Sequence, residues 1–362
     1  LLNADARLSE SPEHSTEKQS RYDRLRSEIT TRIEKQGTPL KNWDVTIHNG
    51  VRTGFNNAFV IDGNTKNRLA RDPKNTELLK PVLTGKDIRK WETDFKDQWL
   101  VGTFPSLNLD INQYHGIKEY LSAYRKRLEP KPKGFEGKWK GRTSGSYKWF
   151  ETQNCITYHK NFEKPKIIWP HLALNPEFAL DTEHFYLTAP SNMLTMKNSR
   201  HPQEIKYLLA VLNSRISGYY MRQIGYSREG GYLEYKKSFV EKIPIRKIPS
   251  SEQEPFIRLA DYILFLKQQP LTTSTEKLMP IFFGHIIDGL CYELYLPESV
   301  GKSKRAFAKY LQNLPDISAQ SDKMRCVSEI FTEFYRQDHP IRNSVFFIDS
   351  VPEIAMIEKI VT

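Results

Sequence analysis

In TPLKNWDVTIHNGVRTGFNNAFVID, residues 38–62, Val45, Ile47, Phe59 and Ile61 alternate with polar residues on either side of a turn-rich middle. Alternation with period two marks strands buried on one face, so the segment predicts two strands joined by a loop. It opens a new regime. Before it, from Ser15 to Gln36, Tyr22, Leu25, Ile29 and Ile33 recur at three and four with Gly37 as a stop, which predicts an amphipathic helix offering one narrow apolar stripe. Residues 1 to about 15 are polar and are expected to be disordered.

Beyond residue 62 the strand character continues. KPKIIWPHLALNPEFALDTEHFYLTA, residues 164–189, reads as short strands cut by prolines. Helix returns at EIKYLLAVLNSRISGYYMRQI, residues 204–224, where Ile205, Leu208, Leu209, Leu212, Ile216 and Tyr219 fall on one face of a single predicted helix. After the proline-bearing joint EKIPIRKIPSSEQ, residues 241–253, the pattern is helical throughout. Phe256, Leu259, Ile263 and Leu266 mark one helix, Ile286, Ile287, Leu290, Leu294 and Tyr295 a second, and Val327, Ile330, Phe331 and Phe334 a third. The predicted class is α+β: residues 1–37 a disordered start and connecting helix, 38–250 a mixed α/β domain with short strands, and 251–362 a helical C-terminal domain.

Charge follows the same division. From Ser251 to Thr362 there are twelve Lys and Arg against fifteen Asp and Glu, which leaves forty-two against twenty-eight in the first 250 residues of a chain whose net charge is +11. Lys118 to Lys148 alone carries ten basic and three acidic residues, and includes most of KWKGRTSGSYKWFETQ, residues 138–153. A basic band of this kind is the footprint of a polyanion partner, though lysine-rich surfaces also serve solubility. No run of apolar residues reaches the ~20 that a bilayer crossing needs, and the start carries neither a secretory signal nor an initiator methionine, which suggests a piece of a longer chain. Cys155, Cys291 and Cys326 are too scattered for a disulfide framework or a zinc site, so a reducing cytoplasm is the expected setting.

Catalytic modules find little support. Asp110 followed by Glu129-Pro130-Lys131 or Glu136-Gly137-Lys138 superficially copies a metal-dependent nuclease, but the Glu-x-Lys pairs lie in EPKPKGFEGK, a backbone ill suited to a rigid strand. Asn175-Pro176-Glu177-Phe178 approaches the Asn-Pro-Pro-aromatic loop of an adenine methyltransferase, with a glutamate in place of the second proline. Gly230-Gly231 lies in a basic loop after a helix, the wrong context for a cofactor loop.

Six segments taken in order resemble the TaqI-like specificity (target-recognition) domain found C-terminal to the methyltransferase in adenine-specific DNA methyltransferases and type IIG restriction-modification enzymes. They are IEKQGTPLKNWDVTIHNGVRTGFNNAFVID, LLKPVLTGKDIRKW, GRTSGSYKWFETQ, FEKPKIIWPHLALNPEFALD, YLLAVLNSRISGYYM and EYKKSFVEKIPI; FIRLADYILFLK and GHIIDGLCYELY resemble the helices that follow. The resemblance runs from about residue 30 to 297. It implies recognition of double-stranded DNA on behalf of a methyltransferase upstream in the same polypeptide, with the helical part tethering modules or bringing subunits together. It implies no catalysis and no cofactor in this chain; S-adenosylmethionine, and Mg²⁺ if an endonuclease is attached, belong to the intact enzyme. A free-standing nuclease and an RNA-binding protein are the alternative readings.

The residues can be assigned on chemistry alone. A reader of DNA needs Lys and Arg for phosphates and planar or amide donors for base edges. VRTGFNN supplies Arg52, Thr53, Asn56 and Asn57 as base-reading candidates, although the same residues suit a loop whose asparagines bond their own backbone. Ser144, Ser146 and Tyr147 form a second group, and Arg228 and Tyr232 in GYSREGGYLEYKK a third. Lys131, Lys133, Lys138, Lys140, Arg142, Lys148, Lys236 and Lys237 are the phosphate candidates. Trp139 and Trp149 read more readily as anchors of their loop than as stacking platforms, and His171 as a satisfied core histidine.

Overall fold

A computed structural model of the chain describes residues 12–154, 156–198 and 203–361, the side chains of residues 12–18 excepted. Most of the predicted disordered start, and Cys155, lie outside the described residues. The leading helix, α1 (Pro12–Gln36), buries Ile29 and Ile33, while Tyr22 and Leu25 pack more loosely along the same stripe.

The two strands predicted in residues 38–62 both form, but they are not a hairpin. β1 (Val45–Asn49) and β2 (Val60–Asp62) belong to different sheets, and Asn56–Phe59 between them is one helical turn. Two four-stranded sheets are completed by β3 (Leu79–Leu83), β4 (Gln98–Val101), β5 (Lys166–Pro170), β6 (Ala179–Asp181), β7 (Tyr186–Leu187) and β8 (Ser191–Met196). One antiparallel sheet has the order β6-β5-β8-β1, with Leu194 opposite both Ile47 and Ile167. The other has the order β7-β3-β4-β2, in which only β7 and β3 run parallel.

The first sheet is a wall between two cores. Its side chains alternate: Val45, Ile47, Ile167, Trp169 and Leu194 face the helices, while Ile168, Ala179 and Met193 face the second sheet. β5 is therefore buried on both faces, which explains why KIIWP shows no alternation. Its one charge, Lys166, is wholly buried and held 2.5 Å from the equally buried Asp181 on β6. Desolvation pushes the Lys166 pKa down and Asp181 pulls it back.

The single helix expected over residues 204–224 is two, α2 (Glu204–Leu212) and α3 (Arg215–Ile224). Ser214 breaks the run because its hydroxyl accepts from the Ser217 N–H and caps the second helix, a local bond that competes with helix continuation. α2 packs against α4 (Ser250–Lys267) and α5 (Ser274–Tyr295), while α3 packs against α5 and the last helix, α6 (Pro352–Val361). One continuous core thus holds Ile29, Leu208, Phe256 and Ile357, so the change of charge at residue 250 does not coincide with a break in packing.

Candidate nucleic-acid interface

At the end of β1 the chain leaves one sheet for the other. The Gly50 N–H donates to Ser191 O at 2.7 Å and the Val51 N–H to Leu187 O at 2.6 Å, so residues 50–52 are laid across the strand ends. A side chain at Gly50 would meet the Thr188 backbone at 2.7 Å, so this close approach requires glycine. The opposite bank is set by β5, whose end at Pro170 leads into His171. The carbonyl of His171 accepts from the Tyr235 N–H at 2.7 Å, which brings Lys236 and Lys237 across from Arg52. Between the banks lies a cleft of about 600 Å³ whose walls include Asn49, Arg52, Asn154, His171, Ser191, Asn192, Lys236 and Lys237. Two loops almost two hundred residues apart in sequence therefore share one site.

The cleft is positive and rich in amides. The Arg52 backbone is fixed, its N–H donating to Asn154 Oδ1 at 2.9 Å and its carbonyl accepting from the Gln153 N–H at 3.0 Å. Its exposed guanidinium has no ion-pair partner among the described residues. Lys236 sits 2.5 Å from Glu234, which also accepts from Arg228 Nε at 2.6 Å; these two cations hold the Glu234 carboxyl below the usual range. Lys237 makes no ion pair among the described residues and, after burial itself, helps lower the pKa of His48. His171 is half-exposed in the cleft wall rather than in the core, and burial still lowers its pKa despite the pull of Glu234. The hydroxyl of Ser191 is buried in the cleft wall without a hydrogen-bond partner among the described residues.

The basic stretch is built differently. Arg142, read from sequence as a phosphate contact, is 4% exposed and donates to five main-chain carbonyls, those of Leu128, Thr53, Glu151, Lys148 and Trp149, at 2.6–3.2 Å. Its guanidinium also lies 4.4 Å from the Tyr147 ring centre. Burial pushes its pKa down to about 10, so it stays charged at neutral pH. It is an internal strut, not a hand held out to DNA. Tyr147 is likewise buried, with its hydroxyl donating to Thr143 O. Lys133, Lys138, Lys140, Lys148, Ser144 and Ser146 are exposed and Lys131 is half-buried near Phe135. Trp139 donates to Glu129 O at 3.1 Å and Trp149 stacks under Arg125, so both rings are tied to their own loop.

The other assignments divide in the same way. Thr53 is buried and spent within the turn, donating to Asn56 Oδ1 at 2.5 Å and accepting from the Phe55 N–H at 3.2 Å, whereas Asn56 and Asn57 stay exposed on the helical turn. Arg228 has donors committed to Glu234, and Tyr232 is 44% exposed. Of the candidates, Arg52, Lys236 and Lys237 meet in the cleft. Asn49, Asn154, Ser191 and Asn192 were not anticipated, although Asn49 lies within residues 38–62 and Asn154 borders KWKGRTSGSYKWFETQ. The motif Asn175-Pro176-Glu177-Phe178 offers no open ring, for Phe178 is buried 5.4 Å from Trp169 and its backbone is held by Asn213 at 3.0 and 2.8 Å. Asp110 accepts from the Asn112 N–H at 3.1 Å and Glu129 from Arg125 at 2.7 Å, so these carboxylates are engaged separately. Among the described residues no group of three His, Cys, Asp or Glu could hold a metal ion, and no helix is long and apolar enough to cross a membrane.

Comparison with known proteins gives three findings. Residues 80–245 match the TaqI-like C-terminal specificity domain family. The type II methyltransferase M.PaeR7I of Pseudomonas aeruginosa is 24% identical over 198 residues, 54% of this chain and 31% of that protein, so the chain spans about a third of this curated relative. Among solved structures, the type IIG restriction endonuclease BpuSI aligns over 76% of this chain and 33% of its own at 14% identity and a TM-score of 0.43. The type IIL restriction-modification enzyme MmeI, determined in complex with DNA, aligns over 82% and 36% at 12% identity and a TM-score of 0.46.

Proposed function

We propose, from the match of residues 80–245 to the TaqI-like C-terminal specificity domain family, that the chain is the DNA target-recognition module of a restriction-modification enzyme. The observation that carries this reading is the cleft in which Arg52, Lys236 and Lys237 converge on a wall of asparagines. Cations fix a duplex by its phosphates, and amide side chains can pair two hydrogen bonds with a base edge. Arg52 and Asn154 in the cleft, with Asn57 exposed on the adjoining helical turn, are the base-reading candidates. Lys237, Lys236 and the exposed lysines 133, 138, 140 and 148 position the backbone.

Methyl transfer belongs to a domain upstream in the intact polypeptide, which would use S-adenosylmethionine as the methyl donor. The residues of this chain do not fit that donor: the nearest methyltransferase-like loop is closed by the burial of Phe178, and Gly230-Gly231 is not a strand-to-helix turn. The test is a titration of the 362-residue chain with duplex DNA at several salt concentrations. If about six phosphates are contacted, log K should fall against log salt with a slope of about −5. A flat dependence, or equal preference for single-stranded RNA, would overturn the reading.

A further inference from the structure

The cleft residues His171 and Lys236 both lead directly into a small antiparallel sheet. Its strands Leu172–Ala173 and Leu233–Glu234 pair with Leu172 opposite Glu234, and a bridge between Ser227 and Leu233 folds residues 226–235 into a hairpin. The Arg228 N–H closes the turn by donating to Tyr232 O at 2.7 Å, and Gly230 and Gly231 carry it round at φ +73° and +78°. Side chains alternate across the sheet. Ala173, Leu233 and Tyr235 are buried beneath it, whereas Leu172, Leu174 and Tyr232 are 46%, 44% and 44% exposed. A Cβ at Gly231 would lie 3.9 Å from Leu174 Cδ2, so the second leucine adjoins the hairpin. The hairpin itself projects, for every residue from Tyr226 to Tyr232 is exposed.

Composition, charge and shape together say what this surface meets. Four of the ten large apolar side chains exposed among the described residues stand here, Leu172, Leu174, Tyr226 and Tyr232, and such a concentration marks an interaction site where single exposures do not. Around them Arg222, Arg228, Lys236 and Lys237 outnumber Glu229 and Glu234, and Glu234 is already neutralised by Arg228 and Lys236. A positive surface repels its own copy and suits a polyanion. A major groove about 12 Å wide admits a two-stranded ribbon of this kind. Leucine has no hydrogen bond to offer a base edge; what it can recognise in the groove is the C5-methyl group of thymine.

We propose that the hairpin and the adjoining Leu172 and Leu174 enter the major groove beside the cleft, and that the two leucines read the methyl group of thymine. The proposal rests on the DNA reading and names one element and one base within it. Its test is a competition titration of the 362-residue chain with its preferred duplex, selected from a random pool, against the same duplex carrying deoxyuridine at each thymidine in turn. Deoxyuridine keeps every hydrogen bond and lacks only the methyl group. At one thymidine or more the exchange should weaken binding by at least about threefold, the worth of one buried methyl group. In Leu172→Ala/Leu174→Ala that penalty should vanish while urea unfolding stays as in the parent chain, because both side chains are exposed. A chain that selects no duplex sinks the DNA reading and this proposal together. A selected target with no fixed thymine, or a deoxyuridine penalty that survives in the double variant, overturns this proposal alone. So does deoxyuridine tolerated at every position, which would give the leucines to a protein partner instead.

Discussion

Arg52 and Arg142 lie in neighbouring loops, close enough that the Arg142 guanidinium donates to the carbonyl of Thr53 at 2.9 Å. One is exposed at the cleft and holds no ion-pair partner among the described residues; the other is 4% exposed and spends its donors on five carbonyls. A planar fork with five donors can cross-link irregular backbone that has no sheet or helix to satisfy it. In the stretch 128–153, which contains almost no regular structure, that is what the arginine does. The region that looks most like a DNA contact in sequence is thus held together by one of its own cations, and the arginine beside it is the one left free.

The comparison breaks first at Arg142. Its replacement by alanine orphans several carbonyls at once, so the chain should lose about 3–5 kcal/mol of stability in urea unfolding. Arg142→Lys should recover little, because a point charge cannot reproduce the fork. If Arg142→Ala melts like the parent chain and instead weakens DNA binding alone, the residue is a contact after all and the contrast fails.

Much of this was legible in the sequence, and the failures share one cause. The stripe of α1, the strand content of 38–62 and the helices after 250 were readable because periodicity is a local property. Which sheet β1 and β2 join was not, since strand partners are chosen by non-local pairing, here with β8 and β4. The break between α2 and α3 was signalled by Asn213-Ser214 but overridden by a long apolar face. At the site, the basic loops were found by composition, whereas the burial of Arg142, Thr53 and Tyr147 depends on which loops meet. Nothing in the sequence near Ser191 and Asn192 indicates that β8 starts at the floor of a cleft.

The contrast sharpens at Arg52. Arg52→Ala should leave the unfolding free energy from urea melts unchanged within about 0.5 kcal/mol, as expected of an exposed side chain with no ion-pair partner among the described residues. It should cost about 1–3 kcal/mol on the preferred duplex and less on a scrambled one. Asn57→Ala, from the adjoining turn, should follow the same pattern. Competition titrations of target against scrambled DNA measure both. Equal losses on the two duplexes would make this loop a phosphate clamp and send base reading to Asn154 and Asn49.

Smaller effects are expected of Lys138 and Lys140. Both are exposed beside the Arg142 strut, so each is a flexible point charge on a fixed loop. Alanine at either should weaken specific and non-specific DNA alike and make the salt slope shallower by about one unit. An unchanged slope would show that the stretch 138–148 faces away from the duplex.

The smallest effect concerns pH, and it separates binding from folding by sign. Burial lowers the pKa of both His48 and His171 from 6.5, with Lys237 adding to the shift at His48. Their folded-state values lie below the unfolded one, so the stability tied to keeping them neutral is complete above pH 6.5 and is lost as pH falls toward the folded values. DNA acts in the opposite sense, because its phosphates favour the protonated rings. Affinity should therefore be flat from pH 8 to 6.5 and rise only below that, by no more than about 1 kcal/mol, the worth of one charge pair at about 4 Å in water. Titrations and urea melts at fixed ionic strength from pH 8 to 5.5 follow both quantities in one buffer series. His171→Asn should remove part of the low-pH gain in affinity while making the melts less sensitive to acid. An affinity that climbs steadily from pH 8 would mean that neither histidine is held neutral, and that the cleft is more open to solvent than the burial of its walls implies.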